Sequence, residues 1–94
     1  MLYGFRMELA GVTQAQYDAL HAHIKTLTEP SDRIVSHTSG PTAAGWFVLE
    51  VWESKAAADQ FMQRVLPQLP QSGPPPSIQE FEVYNCETGD QLRP

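Results

Sequence analysis

The sequence has a single cysteine, Cys86, so no internal disulfide can staple it, and such a chain suits a reducing, cytoplasmic compartment. Basic residues are few: six Lys and Arg stand against eleven Asp and Glu, a formal charge of −5 with no basic run. That balance opposes nucleic acid and anionic membrane as partners. The longest uncharged apolar stretch, Trp46 to Leu49, falls far short of the roughly 20 residues that span a bilayer. No basic n-region and apolar h-region open the chain, so no signal peptide is expected. A Gly-rich phosphate loop, a nucleophile elbow and an internal repeat are missing too.

What is present is periodic. Ninety-four residues make one domain. A chain this short buries only about 60% of its unfolded surface, so a partner surface helps it. Leu2 to Leu9 alternates, with Tyr3, Phe5, Met7 and Leu9 on one face, as a strand does. Thr13 and Gln16 form a capping box that opens a helix over Gln14 to Thr28, striped by Tyr17, Leu20, Ile24 and Leu27 and ended by Pro30. Arg33 to Ser39 is a second, more polar strand, and residues 40–45 are a turn by composition.

Trp46 to Glu53 is the strongest strand, apolar on both faces. Ser54 caps a second helix whose buried stripe is Ala57 or Ala58, Phe61, Val65 and Met62, stopped near Leu66 by Pro67. Gln68 to Ser77 is a proline-rich loop, and Ser77 to Glu87 is the last strand. Residues 88–94 have no apolar period and read as a loose tail on a domain spanning 1–87. The order βαββαβ predicts an α+β, ferredoxin-like fold: a four-stranded antiparallel sheet with two helices on one face. The two faces of the third strand carry Trp46, Val48 and Trp52 or Phe47, Leu49 and Val51. Either set is too apolar to face water, so a second copy of the sheet is the expected cover.

The run from Gly45 through Trp52 to Ser54, followed by Phe61 and the Leu66-Pro67 stop, resembles the strand-to-helix signature of the dimeric α+β barrel superfamily. That superfamily contains the antibiotic biosynthesis monooxygenases, and small bacterial proteins of unassigned function resemble this chain from Met1 to Asn85. The resemblance implies two sheets facing across a dimer axis, with a pocket between sheet and helices in each subunit. It also implies an Asn on the first strand, a Trp ending the third and often a His on the second helix. Trp52 matches the Trp; the first strand reads Gly4-Phe5-Arg6, and Lys55 to Leu66 has no histidine.

Trp52 and Trp46 can stack a flat aromatic ligand, or they are simply large core residues. Phe5 and Phe61, from the inward stripes, and Tyr17 beside His21 join them as substrate-binding candidates. Glu50 shares the parity of Trp46, Val48 and Trp52. A desolvated carboxylate among aromatics suits a general acid or base, whereas the plainer reading pairs it with Arg6 or Arg33. His37, in the hairpin, can accept a proton from a phenol or enol, and His21 borders the first helix's buried stripe. Their plainer readings are a half-exposed strand histidine and a boundary residue. His21 and His23 lie two apart on a helix and so point about 200° from each other, so no metal is expected. The third strand superficially resembles an RNA-recognition octamer, but the basic residue and a needed aromatic are missing and acids flank the sheet.

The sequence thus predicts a homodimeric α+β barrel that binds a small, flat, largely apolar molecule and needs no cofactor. As an enzyme it would be a cofactor-independent monooxygenase, isomerase or cyclase acting on an aromatic or polyketide-like compound. His37, Glu50 or His21 would move the proton. The alternative, favoured by the absent Asn and absent second-helix His, is a non-catalytic dimeric binding or interaction module.

Overall fold

A computed structural model describes residues 1–68 and 73–94. Strand β1 (Leu2–Ala10) leads through Gly11, whose φ of 76° suits a residue without a side chain, to helix α1 (Gln14–Leu27). The Thr13–Gln16 capping box is formed in both directions and fixes where α1 starts. Strands β2 (Ile34–Pro41) and β3 (Gly45–Trp52) make the hairpin, followed by helix α2 (Lys55–Val65), whose N-cap Ser54 accepts from the Ala57 N–H. Pro67 lies in a short 3₁₀ helix, Leu66–Gln68, that closes α2. Strand β4 (Ser77–Val83) completes an antiparallel sheet of order β2-β3-β1-β4. Among the described residues, no helix is long and apolar enough to cross a membrane.

Several boundaries differ from the sequence-based expectation. Gly40 and Pro41 belong to β2, because Thr42 and Gly45 bond each other's backbone and shrink the turn to Ala43-Ala44. β2 starts at Ile34 and carries an irregularity between Ile34 and Ser36. β4 stops at Val83, where its pairing with β1 ends, rather than at Glu87. The segment read as a loose tail contains a short helix, α3 (Gly89–Leu92), held by a second capping box between Thr88 and Gln91. Pro70, part of the proline-rich loop, lies outside the described residues.

Register settles the parity that the sequence left open. Tyr3, Phe5, Met7 and Leu9 pair with Trp52, Glu50, Val48 and Trp46, and this set faces the helices. Trp52 is 1% exposed and packs with Phe5, Ala58, Phe61 and Val65 under α2. The other face carries Phe47, Leu49, Val51, Leu2, Phe81 and Val83. At Gly4 a methyl group would run into the Phe81 ring and the Val83 side chain, so glycine lets Phe81 lie across β1 on that face. Arg64 of α2 ties the two helices together, donating to the Leu27 carbonyl at the end of α1 at 3.2 Å and to Asp32 just beyond it at 2.6 Å. Burial pushes the Asp32 carboxyl up, but its bonds from Arg64 and the Glu29 N–H hold it below the usual carboxylate range.

Candidate functional site

The tight β2–β3 turn sets Pro41 opposite Trp46 and therefore Ser39 opposite Val48 and His37 opposite Glu50. His37, Ser39, Trp46, Glu50 and Trp52 thus share the helix-facing side of neighbouring strands. α1 brings Tyr17 and His21, one turn apart, down onto them.

The result is a continuous chain of hydrogen bonds. The Trp52 indole N–H donates to Glu50 Oε1 at 3.0 Å, and Glu50 Oε2 lies 2.7 Å from His37 Nδ1. His37 Nε2 is 2.7 Å from the Tyr17 hydroxyl, which also accepts from Ser39 Oγ at 2.8 Å. His21 Nδ1 stands 3.5 Å from the same phenol oxygen. An ionised carboxylate only accepts, so Nδ1 of His37 carries the hydrogen. In the neutral ring, Nε2 is then the acceptor and Tyr17 the donor. The Tyr17 ring stacks on Trp46 and on His21 at centroid distances of 5.2 and 5.4 Å. Burial, reinforced by His37 and Lys25, pushes His21 below the ordinary histidine value against the opposite pull of Asp18 and Glu50. The Trp46 indole nitrogen is buried and has no hydrogen-bond partner among the described residues.

The plainer partners for Glu50 are not the ones observed. Arg6 is on the opposite sheet face, bonded to Glu8 at 2.7 Å, and Arg33 pairs with Glu53 at 3.7 Å. Glu50 pairs with His37 instead, with side-chain exposures of 13% and 28%.

The predicted residues fall into two groups. His37, Glu50, His21, Tyr17, Trp46 and Trp52 come together in the relay. Phe61 sits in the core against Trp52, with ring centroids 5.1 Å apart. Phe5 lines a separate cavity of about 200 Å³ between α2, β1 and β4, together with Tyr3, Ala58, Met62, Ile78 and Glu80. At its rim the Tyr3 hydroxyl donates to Glu80 at 2.6 Å, and Lys55 reaches Glu80 and Asp59 at 3.3 Å each. Burial and the Glu80 carboxylate push the Tyr3 phenol up, and its bond holds Glu80 down.

Sequence reasoning missed Ser39, which shares the parity of His37 and was legible from that spacing. It also missed Tyr3 at the cavity rim, where only the pairing of β1 with β4 brings Glu80 near. Among the described residues, no group of three or more His, Cys, Asp or Glu side chains is placed to hold a metal ion.

No protein-family model matches the sequence, and no curated protein is detectably similar to it. Solved structures do share its architecture. A crystal structure of an MhuD mutant, with two manganese protoporphyrin IX molecules bound per active site, aligns with a TM-score of 0.62 at 19% identity, covering 95% of this chain and 100% of that one. Rv0793 from Mycobacterium tuberculosis aligns with a TM-score of 0.57 at 14% identity, covering 93% and 98%. Identities this low carry the fold and nothing finer. The chain therefore has the ferredoxin-like α+β fold that these structures share.

Proposed function

We propose that this chain is a homodimeric, small-molecule-binding α+β barrel whose Glu50–His37–Tyr17 relay moves a proton to or from a flat aromatic or polyketide-like compound, as a cofactor-independent monooxygenase, isomerase or cyclase would. The observation that carries this reading is the unbroken relay, with 2.7 Å on each side of the His37 ring. Glu50 orients the imidazole and balances the charge it gains, so Nε2 can take a proton. The proton arrives from the Tyr17 hydroxyl, or from a phenol or enol that takes that hydroxyl's place. Deprotonation leaves an electron-rich anion, the form of such compounds that reacts with dioxygen or rearranges.

The neighbouring MhuD structure holds flat macrocycles in its active site. The cavity of about 200 Å³ lies apart from the relay and is smaller than the roughly 300 to 1,000 Å³ of drug-sized ligand pockets, so a ligand held there without chemistry has one or two rings. The outer sheet face, with Phe47, Leu49, Val51 and a 38% exposed Phe81, supports pairing with a second copy. The second reading, binding without chemistry, is favoured by the mainly apolar cavity lying apart from the relay.

Native mass spectrometry of the purified protein, before and after denaturation, tests assembly and ligand together. The expected result is twice the chain mass plus a small adduct released on denaturation, and Leu49→Asp returns the monomer. A wild-type monomer overturns the dimer. Turnover of the released compound is expected to fall by about 100-fold or more in His37→Gln and in Glu50→Gln. Unchanged turnover in both overturns the relay's part in the chemistry, and no turnover in the wild type leaves only the binding module.

A further inference from the structure

A buried phenol whose oxygen is already hydrogen-bonded has an acceptor for its proton inside the protein. Tyr17 is such a phenol: it is 8% exposed, and its hydroxyl is engaged by His37 and Ser39, with His21 close by. An electron can cross packed side chains. Without being touched, this group can still lose an electron outward, provided its proton has somewhere to go inside.

That provision is the difficult part of oxidising any phenol, because the radical cation is a very strong acid in an interior that disfavours uncompensated charge. At Tyr17 the acceptor is in place. His37 Nε2 lies 2.7 Å from the hydroxyl, and the imidazolium formed there meets Glu50 Oε2 at 2.7 Å through its other nitrogen. Ser39 keeps donating to the phenol oxygen after the proton has left. Trp46 adds a direction. Its ring stacks on Tyr17 at 5.2 Å with an interplanar angle of 23°, and its buried N–H has no partner among the described residues. An oxidised Trp46 has no base for its proton, so the hole passes to Tyr17, which has one.

We propose that Tyr17 is a redox-active tyrosine, with His37 as its internal proton acceptor and the stacked Trp46 as its electronic contact. The oxidant is an outer-sphere one-electron acceptor of the aromatic radical-cation class. The Tyr17 O–H bond breaks, its proton forms an N–H bond at His37 Nε2, and its electron returns the radical cation to the closed-shell parent. What remains is a neutral phenoxyl radical beside an imidazolium–carboxylate pair. This goes beyond the proton-transfer reading and needs no bound substrate.

The other tyrosines are poorer candidates. Tyr3 also has an acceptor, Glu80, but the Lys55 ammonium lies 5.4 Å from its ring centroid and opposes loss of an electron. Tyr84 is 88% exposed.

The test uses flash-generated ruthenium(III) tris-bipyridine as oxidant. Tyr3→Phe with Tyr84→Phe leaves Tyr17 as the sole survivor of three tyrosines. That protein is expected to give a long-lived phenoxyl signal by absorption and electron paramagnetic resonance, with a midpoint potential below that of free tyrosine amide. Adding His37→Gln, with folding checked by near-ultraviolet circular dichroism, raises the potential and shortens the signal. Should the double variant not fold, wild type against His37→Gln carries the same comparison. No phenoxyl signal, a potential at or above that of the free amide, or a potential indifferent to His37→Gln overturns the proposal. None of these readouts depends on turnover, so the proton-transfer reading fails or stands separately.

Discussion

The two long helices cover the same sheet with different chemistry, although Ile24 and Leu27 at the far end of α1 also pack against the main core. Under α2 the contacts are apolar: Phe5, Trp52, Ala58, Phe61 and Val65 pack into the main core. Under α1 the helix's one buried residue, Tyr17, lands on a polar network of His37, Ser39 and Glu50. The α2 half holds the domain together by burying area, which is insensitive to detail. The α1 half depends on each partner being present, because a polar group left unpaired indoors loses its solvation and gains nothing. Trp52 belongs to both, with its ring in the core and its N–H on Glu50.

Removing that shared residue should have the largest effect. Trp52→Ala is expected to destabilise the fold by about 3–5 kcal/mol in chemical denaturation, because it opens a cavity and strips Glu50 of a donor. A loss below 1 kcal/mol, on the order of a surface change, would mean that the core does not centre on this ring. Glu50→Ala tests the polar half more cleanly. It leaves the His37 and Trp52 donors without an acceptor, and a loss of about 1–3 kcal/mol is expected. Tyr17→Phe keeps the ring and removes only the hydroxyl. Its expected loss is about 0.5–1.5 kcal/mol, and a stabilised variant would show that the phenol is held there against the interests of folding.

The smallest effect concerns pH. His21 is pushed down from 6.5 in the folded state, so the unfolded chain binds the proton more readily. Its contribution is present above the unfolded value and is lost as pH falls through the folded one. Wild type should therefore lose more stability than His21→Gln between about pH 7 and pH 5. Equal losses, read from denaturation midpoints at each pH, would place His21 in water rather than against Tyr17.

Several of these elements were legible from residues alone because their causes are local. Thr13 with Gln16 announces a helix start, Pro67 a helix end, and the alternation of Tyr3, Phe5, Met7 and Leu9 a strand with one inward face. The same logic was available at Thr88 and Gln91, where a capping box without an apolar stripe behind it was read as a tail. His37, Glu50 and His21 stood out as residue types that can move protons, and Tyr17 as a ligand contact. That they form one relay was not legible, since His37 and Glu50 meet only through a turn shortened to Ala43-Ala44. Phe61 stood out as a ligand contact from its place on the inward stripe, and that stripe leads it into the core.

The sequence by itself determined the βαββαβ order and the inward stripes, because propensity, capping and hydrophobic period act over a few neighbouring residues. Only the tertiary structure decided which face of β3 meets the helices, that Glu50 faces His37 rather than Arg6 or Arg33, and that Tyr17 closes the chain from α1. Those outcomes depend on strand register and on where α1 crosses the sheet. A one-residue slip would turn Glu50 to the outer face and put Val51 in its place, a choice made by the packing of the whole sheet rather than by any single stretch of it.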